Sequence, residues 1–204
     1  MRYPKLRELK EAVKAIIKGP YTTKFPFAPH EPPKKFRGKP VPDDEWCVGC
    51  GACVEVCPSG AIELIEEPTN ATRRIIWHYD DCIFCGQCEA ICITEKGVRL
   101  SSEYDLAVFE RKTLFSEQKK ELLICERCGQ IIGTKKHLLW LAKKLGPLAY
   151  SNFPLILTAQ RELEIAKEIP LKPLPAEPVT RSDIFRILCP KCRRQSLLFD
   201  QYGK

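Results

Sequence analysis

A chain of 204 residues has room for one large domain or two small ones, and 44% hydrophobic with 29% charged residues is ordinary for a folded protein. It has no run of about 18 apolar residues, which excludes a membrane-spanning helix, and Met1-Arg2-Tyr3-Pro4-Lys5 does not lead into the apolar core of a signal peptide. The formal net charge of +7 raises nucleic acid or an anionic surface as a partner, so where the positive charge sits becomes the question.

Residues 1–42 read as an arm. Lys5 to Lys18 has the helical period: Leu6, Leu9, Val13, Ile16 and Ile17 share one face, and Arg7, Lys10, Lys14 and Lys18 form a basic stripe on another. Gly19-Pro20 stops the helix. A proline-rich passage follows through Pro26, Pro29, Pro32, Pro33, Pro40 and Pro42. Residues 1–40 carry 11 Lys or Arg against three Asp or Glu. A solvated tail would explain the charge. It would not explain Tyr21, Phe25, Phe27 and Phe36, so the arm is expected to dock on a partner or a membrane surface.

Residues 43–116 are organised by a tandem cysteine array. Cys47-x-x-Cys50-x-x-Cys53-x-x-x-Cys57-Pro58 is followed, 35 residues on, by Cys82-x-x-Cys85-x-x-Cys88-x-x-x-Cys92. This is the ligand run of a [4Fe–4S] cluster, present twice. Three thiolates on one tight loop cap three irons, while the fourth lies a helical turn away and reaches the other cube. Cluster one is therefore assigned to Cys47, Cys50, Cys53 and Cys92, and cluster two to Cys57, Cys82, Cys85 and Cys88. Gly49, Gly51 and Gly86 permit the tight turns that aim N–H groups at sulfur. A zinc site or disulfides would suit a lone pair of cysteines, not two complete runs. Short helices are expected around Cys53–Cys57 and Cys88–Cys92. Strands are expected at Ala61–Glu66 and Arg73–Tyr79, joined by the polar turn Glu67–Thr72, whose Asn70-Ala71-Thr72 sequon is merely part of that turn. A helix over Glu103–Arg111 closes the module.

Residues 117–204 read as a second module. Leu122–Ile124 leads as a strand into Cys125-Glu126-Arg127-Cys128-Gly129, and Asp183–Leu188 leads as a strand into Cys189-Pro190-Lys191-Cys192. Two such knuckles make a tetrahedral four-thiolate site for zinc, with a rubredoxin-like iron as the alternative. The gap between them, about 60 residues, is longer than in an ordinary zinc ribbon and holds helices at Thr134–Leu145 and Thr158–Lys167, then a loop from Pro170 to Pro178. The fold class is thus α+β: a bacterial-type 2[4Fe–4S] ferredoxin module with an N-terminal arm and a C-terminal zinc-ribbon or rubredoxin-like module. All 12 cysteines fall in metal-ligand motifs, which fits a reducing compartment. Twelve thiolates, two oxidised clusters and one divalent ion bring the loaded protein to roughly +1, which weakens the case for nucleic acid. Of the histidines, His78 precedes the second cysteine loop by four residues and is weighed mainly as an exposed strand residue. His30 and His137 are given no role.

Three stretches carry a resemblance: Phe36-Arg37-Gly38-Lys39-Pro40, Cys82-Ile83-Phe84-Cys85-Gly86-Gln87-Cys88-Glu89 and Glu103-Tyr104-Asp105-Leu106-Ala107. In them the chain resembles the two-cluster ferredoxin subunit of complex I and of the related membrane-bound nickel–iron hydrogenases. Cys189-Pro190-Lys191-Cys192-Arg193-Arg194-Gln195 is similar to the longer variant found in formate hydrogenlyase. The resemblance is weak across about 130–185. It implies a non-catalytic subunit relaying single electrons, held peripherally on the cytoplasmic side of the membrane. Its partners would be other subunits of the assembly, including a small subunit with the next Fe–S cluster. One departure stands out. The family carries Pro after the last cysteine of each run; Pro58 fits, but Ile93 stands in the second, and Thr94-Glu95-Lys96-Gly97 is one residue longer than usual.

Two other functions compete. A free ferredoxin carrier has no use for the arm or for residues 101–116. A nucleic-acid-binding metalloprotein would use Lys135, Lys136, Lys143, Lys144, Arg193 and Arg194, but no aromatic platform is interleaved with them. There is no GxGxxG, no P-loop and no Cys/His nucleophile pair, so substrate chemistry is expected in a partner.

Overall fold

The computed structural model describes residues 5–19, 22–165, 183 and 185–198, and the chain divides into two units, 1–36 and 37–204. In the first unit, helix α1 (Leu6–Lys18) begins where the Glu8 carboxylate accepts the Lys5 N–H at 3.0 Å, and Gly19 ends it at a φ of 77°. Its apolar stripe, Leu6, Leu9, Val13, Ile16 and Ile17, is exposed along its whole length.

The second unit begins earlier than the sequence suggests. Residues 37–42 are not arm: β1 (Pro40–Pro42) pairs antiparallel with β4 (Val98–Leu100), and the Gly38 and Lys39 amides donate to the carbonyls of Ser101 and Glu103. Between those strands the two halves of the duplication repeat closely. Helix α2 (Ala52–Glu55) and helix α3 (Gln87–Ala90) lie 35 residues apart, each entered through a glycine near φ 80°, Gly51 and Gly86. Both helices start slightly before the stretches expected from spacing. Strands β2 (Ile62–Glu67) and β3 (Thr72–His78) form the expected hairpin, turned by a short 3₁₀ segment at Pro68–Asn70 with Ala71 left-handed at φ 49°.

β5 (Phe115–Ile124) and β6 (Ile131–Thr134) extend this hairpin into a four-stranded sheet of order β2-β3-β5-β6, with Thr72–His78 opposite Phe115–Glu121. The boundary expected at 116/117 thus falls inside β5. One face of the sheet buries Ile62, Ile75 and Trp77, which pack with Tyr79, Cys88 and Val98. The other face carries the Arg74–Glu117 ion pair. The Tyr79 hydroxyl bonds both the Pro40 carbonyl (2.9 Å) and the Ser116 hydroxyl (2.6 Å), tying β1 to β5.

The helix expected over Glu103–Arg111 does not form. The Ser101 and Glu103 carbonyls already accept from Gly38 and Lys39, Phe109 is fully exposed, and only Leu106 reaches the core. Without an apolar face to bury, so short a helix has nothing to hold it. Beyond β6, Thr134 caps helix α4 (Lys135–Leu145) by accepting the His137 N–H. Helix α4 ends at Leu145 as expected, before Gly146-Pro147, and a 3₁₀ turn then leads into helix α5 (Phe153–Glu162), earlier than the expected Thr158–Lys167. Lys167 and the loop Pro170–Pro178 lie outside the described residues. No strand leads into Cys189 among the described residues; the cysteine is followed directly by helix α6 (Pro190–Leu198).

Gly38 tests the β1 pairing. A Cβ there would sit 2.2 Å from the Glu103 carbonyl oxygen and 2.7 Å from that of Ser101, both backbone atoms. Gly38→Ala is therefore expected to destabilise the second unit by about 1–3 kcal/mol, the usual cost of overpacking. Thermal unfolding followed by circular dichroism checks it; an unchanged midpoint would refute the pairing.

Candidate functional site: two thiol-lined cavities and a four-cysteine cluster

The eight cysteines of the array surround two cavities. Cys47, Cys50, Cys53 and Cys92 line one, with about 340 Å³ of empty space. Cys57, Cys82, Cys85 and Cys88 line the other, with about 400 Å³. The Cys57 cavity takes three cysteines from the second run and one from the first, and the Cys47 cavity takes three from the first run with Cys92 and Cys88 from the second. Cys88 reaches the wall of both, and so does Trp77, which separates them.

The loop geometry explains how the thiols converge. The Phe84 amide lies 3.4 Å from the Cys82 sulfur, and at the matching place in the first run burial raises Cys47 while the Gly49 amide works against that rise. Both residues are left-handed, Gly49 at φ 70° and Phe84 at φ 53°. Only the first must be glycine for space. A Cβ on Gly49 would meet Lys120 Cγ at 2.9 Å and Thr134 Cγ2 at 3.1 Å, because β5 and β6 cover that loop.

That cover grips the Cys47 loop from several sides. The Arg73 guanidinium donates to the Gly49 carbonyl at 2.6 Å, and the Thr134 hydroxyl donates to the Val48 carbonyl. The buried Lys120 ammonium donates to the Asp44 carbonyl at 2.9 Å and pairs with its carboxylate at 2.5 Å, which it holds below the usual carboxylate range. Lys136 reaches the same carbonyl at 2.6 Å. None of these four residues carried a sequence signal beyond being basic or polar.

Burial governs the free thiols. It pushes Cys53 up to about 12 and Cys88 up to about 11, with neighbouring sulfurs adding to the effect. Buried thiolates therefore need a compensating cation. Cys92 differs: burial raises it, but the Thr94 hydroxyl and the amides of Thr94, Gly97 and Val98 together bring it below its ordinary value.

The cavities fit iron–sulfur clusters. Besides the thiols, the Trp77 indole N–H is buried and has no partner among the described residues. An orphan donor of this kind costs about 1–3 kcal/mol unless something accepts it, and cluster sulfur is an acceptor. Gly97 leaves the space that a cube needs, since a Cβ there would lie 3.1 Å from the Cys92 sulfur.

The third group also assembles. Cys125, Cys128, Cys189 and Cys192 bring their sulfurs within 4.8 Å of one another, and Cys128 lies 3.7 Å from Cys189. Only Cys125–Cys128 is a hairpin knuckle, between β5 and β6, closed by the Cys125 amide on the Gln130 carbonyl at 2.8 Å. Cys189 and Cys192 open α6 instead, where the Cys192 amide lies 3.4 Å from the Cys189 sulfur. Burial raises Cys125, but the amides of Cys128, Cys189 and Arg127 and the Cys128 thiol outweigh it and bring it down to about 7. Behind the knuckle, buried Glu126 pairs with Arg161 of α5 at 2.6 Å. Of the histidines, His78 Nε2 lies 3.4 Å from Glu63, an ordinary cross-strand contact, and burial pushes His137 down.

Comparison with known proteins agrees with this geometry. Residues 46–96 match the 4Fe-4S dicluster domain. Over 128 residues the chain is 36% identical to formate hydrogenlyase subunit 6 of Escherichia coli, spanning 62% of this chain and 70% of that one. The chain belongs to that family. It is also 30% identical over 100 residues to NAD(P)H-quinone oxidoreductase subunit I of Gloeobacter violaceus, spanning 47% of each chain. Against NADH-quinone oxidoreductase subunit I 2 of Geobacter metallireducens it is 28% identical over 120 residues, spanning 55% of this chain and 91% of that one.

Gly49→Ala tests the covered loop. The left-handed backbone and the Lys120 and Thr134 contacts both oppose a methyl group there, at a cost of about 1–3 kcal/mol. Iron and acid-labile sulfide per chain are expected to fall toward half the wild-type value. Full iron content would show that the cover yields.

Proposed function

We propose that this chain is an electron-relay subunit of a membrane-bound, complex I-like oxidoreductase of the formate hydrogenlyase type. The observation that carries the reading is the pair of cavities lined by the eight thiols of both runs, each wall drawing on both runs and sharing Trp77 and Cys88. Membership of the formate hydrogenlyase subunit 6 family supports the wider assignment. Bound clusters supply single-electron oxidation and reduction. The protein's own part is to hold them side by side, exclude water with Ile75, Trp77 and Val98, and supply donors to their sulfurs.

In this reading Cys47, Cys50, Cys53 and Cys92 hold cluster one, and Cys57, Cys82, Cys85 and Cys88 hold cluster two. Cys125, Cys128, Cys189 and Cys192 hold one zinc, with a rubredoxin-like iron as the alternative. The tetrahedron edge for zinc thiolates is about 3.8 Å, which the Cys128–Cys189 separation of 3.7 Å supports. Its role is structural: it fastens the β5–β6 hairpin to α6. The exposed apolar stripe of α1, backed by Arg7, Lys10, Lys14 and Lys18, suits a membrane surface or a partner subunit. That supports a peripheral position, which we assign to the cytoplasmic side. No helix of the described residues is long and apolar enough to cross a membrane. Partners then include a small subunit bearing the next Fe–S cluster, and nucleic acid is not one of them.

Cys57→Ala tests the ligand assignment. It is expected to abolish the EPR signal of cluster two, although Cys57 belongs to the first run. Loss of the cluster held by Cys47, Cys50 and Cys53 would reverse the assignment. The wider reading is tested by affinity purification of the intact chain from its host. Co-purification of hydrogenase-like and membrane subunits is expected, and a monodisperse chain without partners would favour a free carrier.

A further inference from the structure

The duplication places a hydroxyl at the same point in each run. Ser59 follows Cys57 by two residues, and Thr94, 35 residues on, follows Cys92 by two. The two hydroxyls are placed differently. Ser59 is exposed, and its oxygen lies 3.7 Å from the Cys57 sulfur. Thr94 is half-buried in the wall of the Cys47 cavity, and its oxygen lies 3.3 Å from the Cys92 sulfur.

The direction of the Thr94 bond follows from counting protons. The Gly97 amide donates to Thr94 Oγ1 at 3.1 Å, so that oxygen already accepts one bond. A ligating Cys92 is a thiolate and has no proton to give. The single hydroxyl proton of Thr94 is then left for the sulfur. The turn that carries it is built for this purpose. The Glu95 amide closes onto the Cys92 carbonyl at 2.9 Å, with Glu95 left-handed at φ 60°. Gly97 has no room for a side chain, since a Cβ would lie 2.8 Å from Thr94 Oγ1. The residues that depart from the family pattern, Ile93 to Gly97, are those that form this turn.

We propose that Thr94 donates a hydrogen bond to the Cys92 thiolate and thereby raises the reduction potential of cluster one above that of its duplicate. A donor to cluster sulfur stabilises the reduced, more negative state more than the oxidised one. Ser59 also lines its cavity but makes the longer contact, 3.7 Å from an exposed position against 3.3 Å for Thr94, so two clusters in nearly repeated frames acquire different potentials. The relay then has a preferred resting place for the electron on the Cys47 side. The inference rests on the ligand assignment proposed above.

The experiment is a redox titration followed by EPR on the reconstituted full-length chain, with iron content measured in each variant. Thr94→Val is expected to lower one of the two potentials and leave the other in place, while Thr94→Ser restores the wild-type value. Ser59→Ala is expected to move neither potential as far. Unchanged potentials in Thr94→Val at full iron content, or an equal fall in both, would overturn the inference and leave the proposed function standing. Iron loss in Thr94→Val but not in Thr94→Ser supports a hydroxyl bond to the sulfur; equal loss in both variants counts against it. A wild-type chain that binds no [4Fe–4S] cluster would overturn both readings.

Discussion

Everything in the second unit depends on the cost of burying thiolates. Eight cysteines are gathered around Trp77, Ile75 and Val98, where burial drives Cys53 and Cys88 far above the ordinary thiol range. An apolar centre of that kind is tolerable in two ways. The thiols stay protonated, or a metal core takes their negative charge. The orphan indole N–H of Trp77 points to the second. Its donor is shut away from water in a residue that lines both cavities, and nothing among the described residues accepts it. Metal binding and folding are then coupled, and the short α2 and α3 helices, four residues each, draw their stability from the sites they help to form.

The sheet extends that constraint across the chain. Ser116, Gln118 and Lys120 of β5 fall on the same face as Ile75 and Trp77, so a strand after the cysteine array supplies polar cover to it. Lys120 is the sharpest case. A buried ammonium costs several kcal/mol unless paired, and here it is spent on the Asp44 carbonyl and carboxylate beside Cys47. The β5–β6 hairpin ends at Cys125 and Cys128. The four-cysteine group and the Cys47 loop are therefore two ends of one rigid element, with Thr134 and Lys136 as further links.

What could be read from residues alone follows the same physics. Ligand spacing is dictated by the geometry of a cube, so the gathering of the eight thiols of both runs was legible before any fold. So was α1, whose 3.6-residue period needs no tertiary context, and the β2–β3 hairpin with its polar turn. β5 was legible only in its last three residues. Phe115-Ser116-Glu117-Gln118-Lys119-Lys120-Glu121 has almost no apolar alternation, because its inward side chains are used for polar contacts, Ser116 with the Tyr79 hydroxyl and Lys120 with the Asp44 carbonyl. Strand preference here is a matter of what lies opposite. Residues 103–111 failed in the other direction. They carry helix-forming residues, but Gly38 and Lys39 had already taken the carbonyls. The strand expected before Cys189 was inferred by analogy with a ribbon, and proline at 190 starts a helix as readily as it ends a strand.

The duplication survives best where the chemistry demands it and diverges where the two cavities meet different neighbours. Gly51 and Gly86 hold nearly the same φ, and the amides of Gly49 and Phe84 each act on the first thiol of their run. Gly49 stays glycine because Lys120 and Thr134 press on it, whereas the same backbone angle at Phe84 is borne by a bulky residue. Ser59 and Thr94 part in the same way: one sits exposed after a proline, the other is held by Gly97 against the sulfur. Two nearly identical ligand frames in one small domain would give two nearly equal potentials, and an electron would have no reason to rest on either. The Cys47 loop is gripped by Arg73, Lys120 and Thr134, whereas the Cys82 loop takes a donor from Arg37 to the Cys85 carbonyl at 3.0 Å. A domain built by repetition thus acquires direction from the parts that do not repeat.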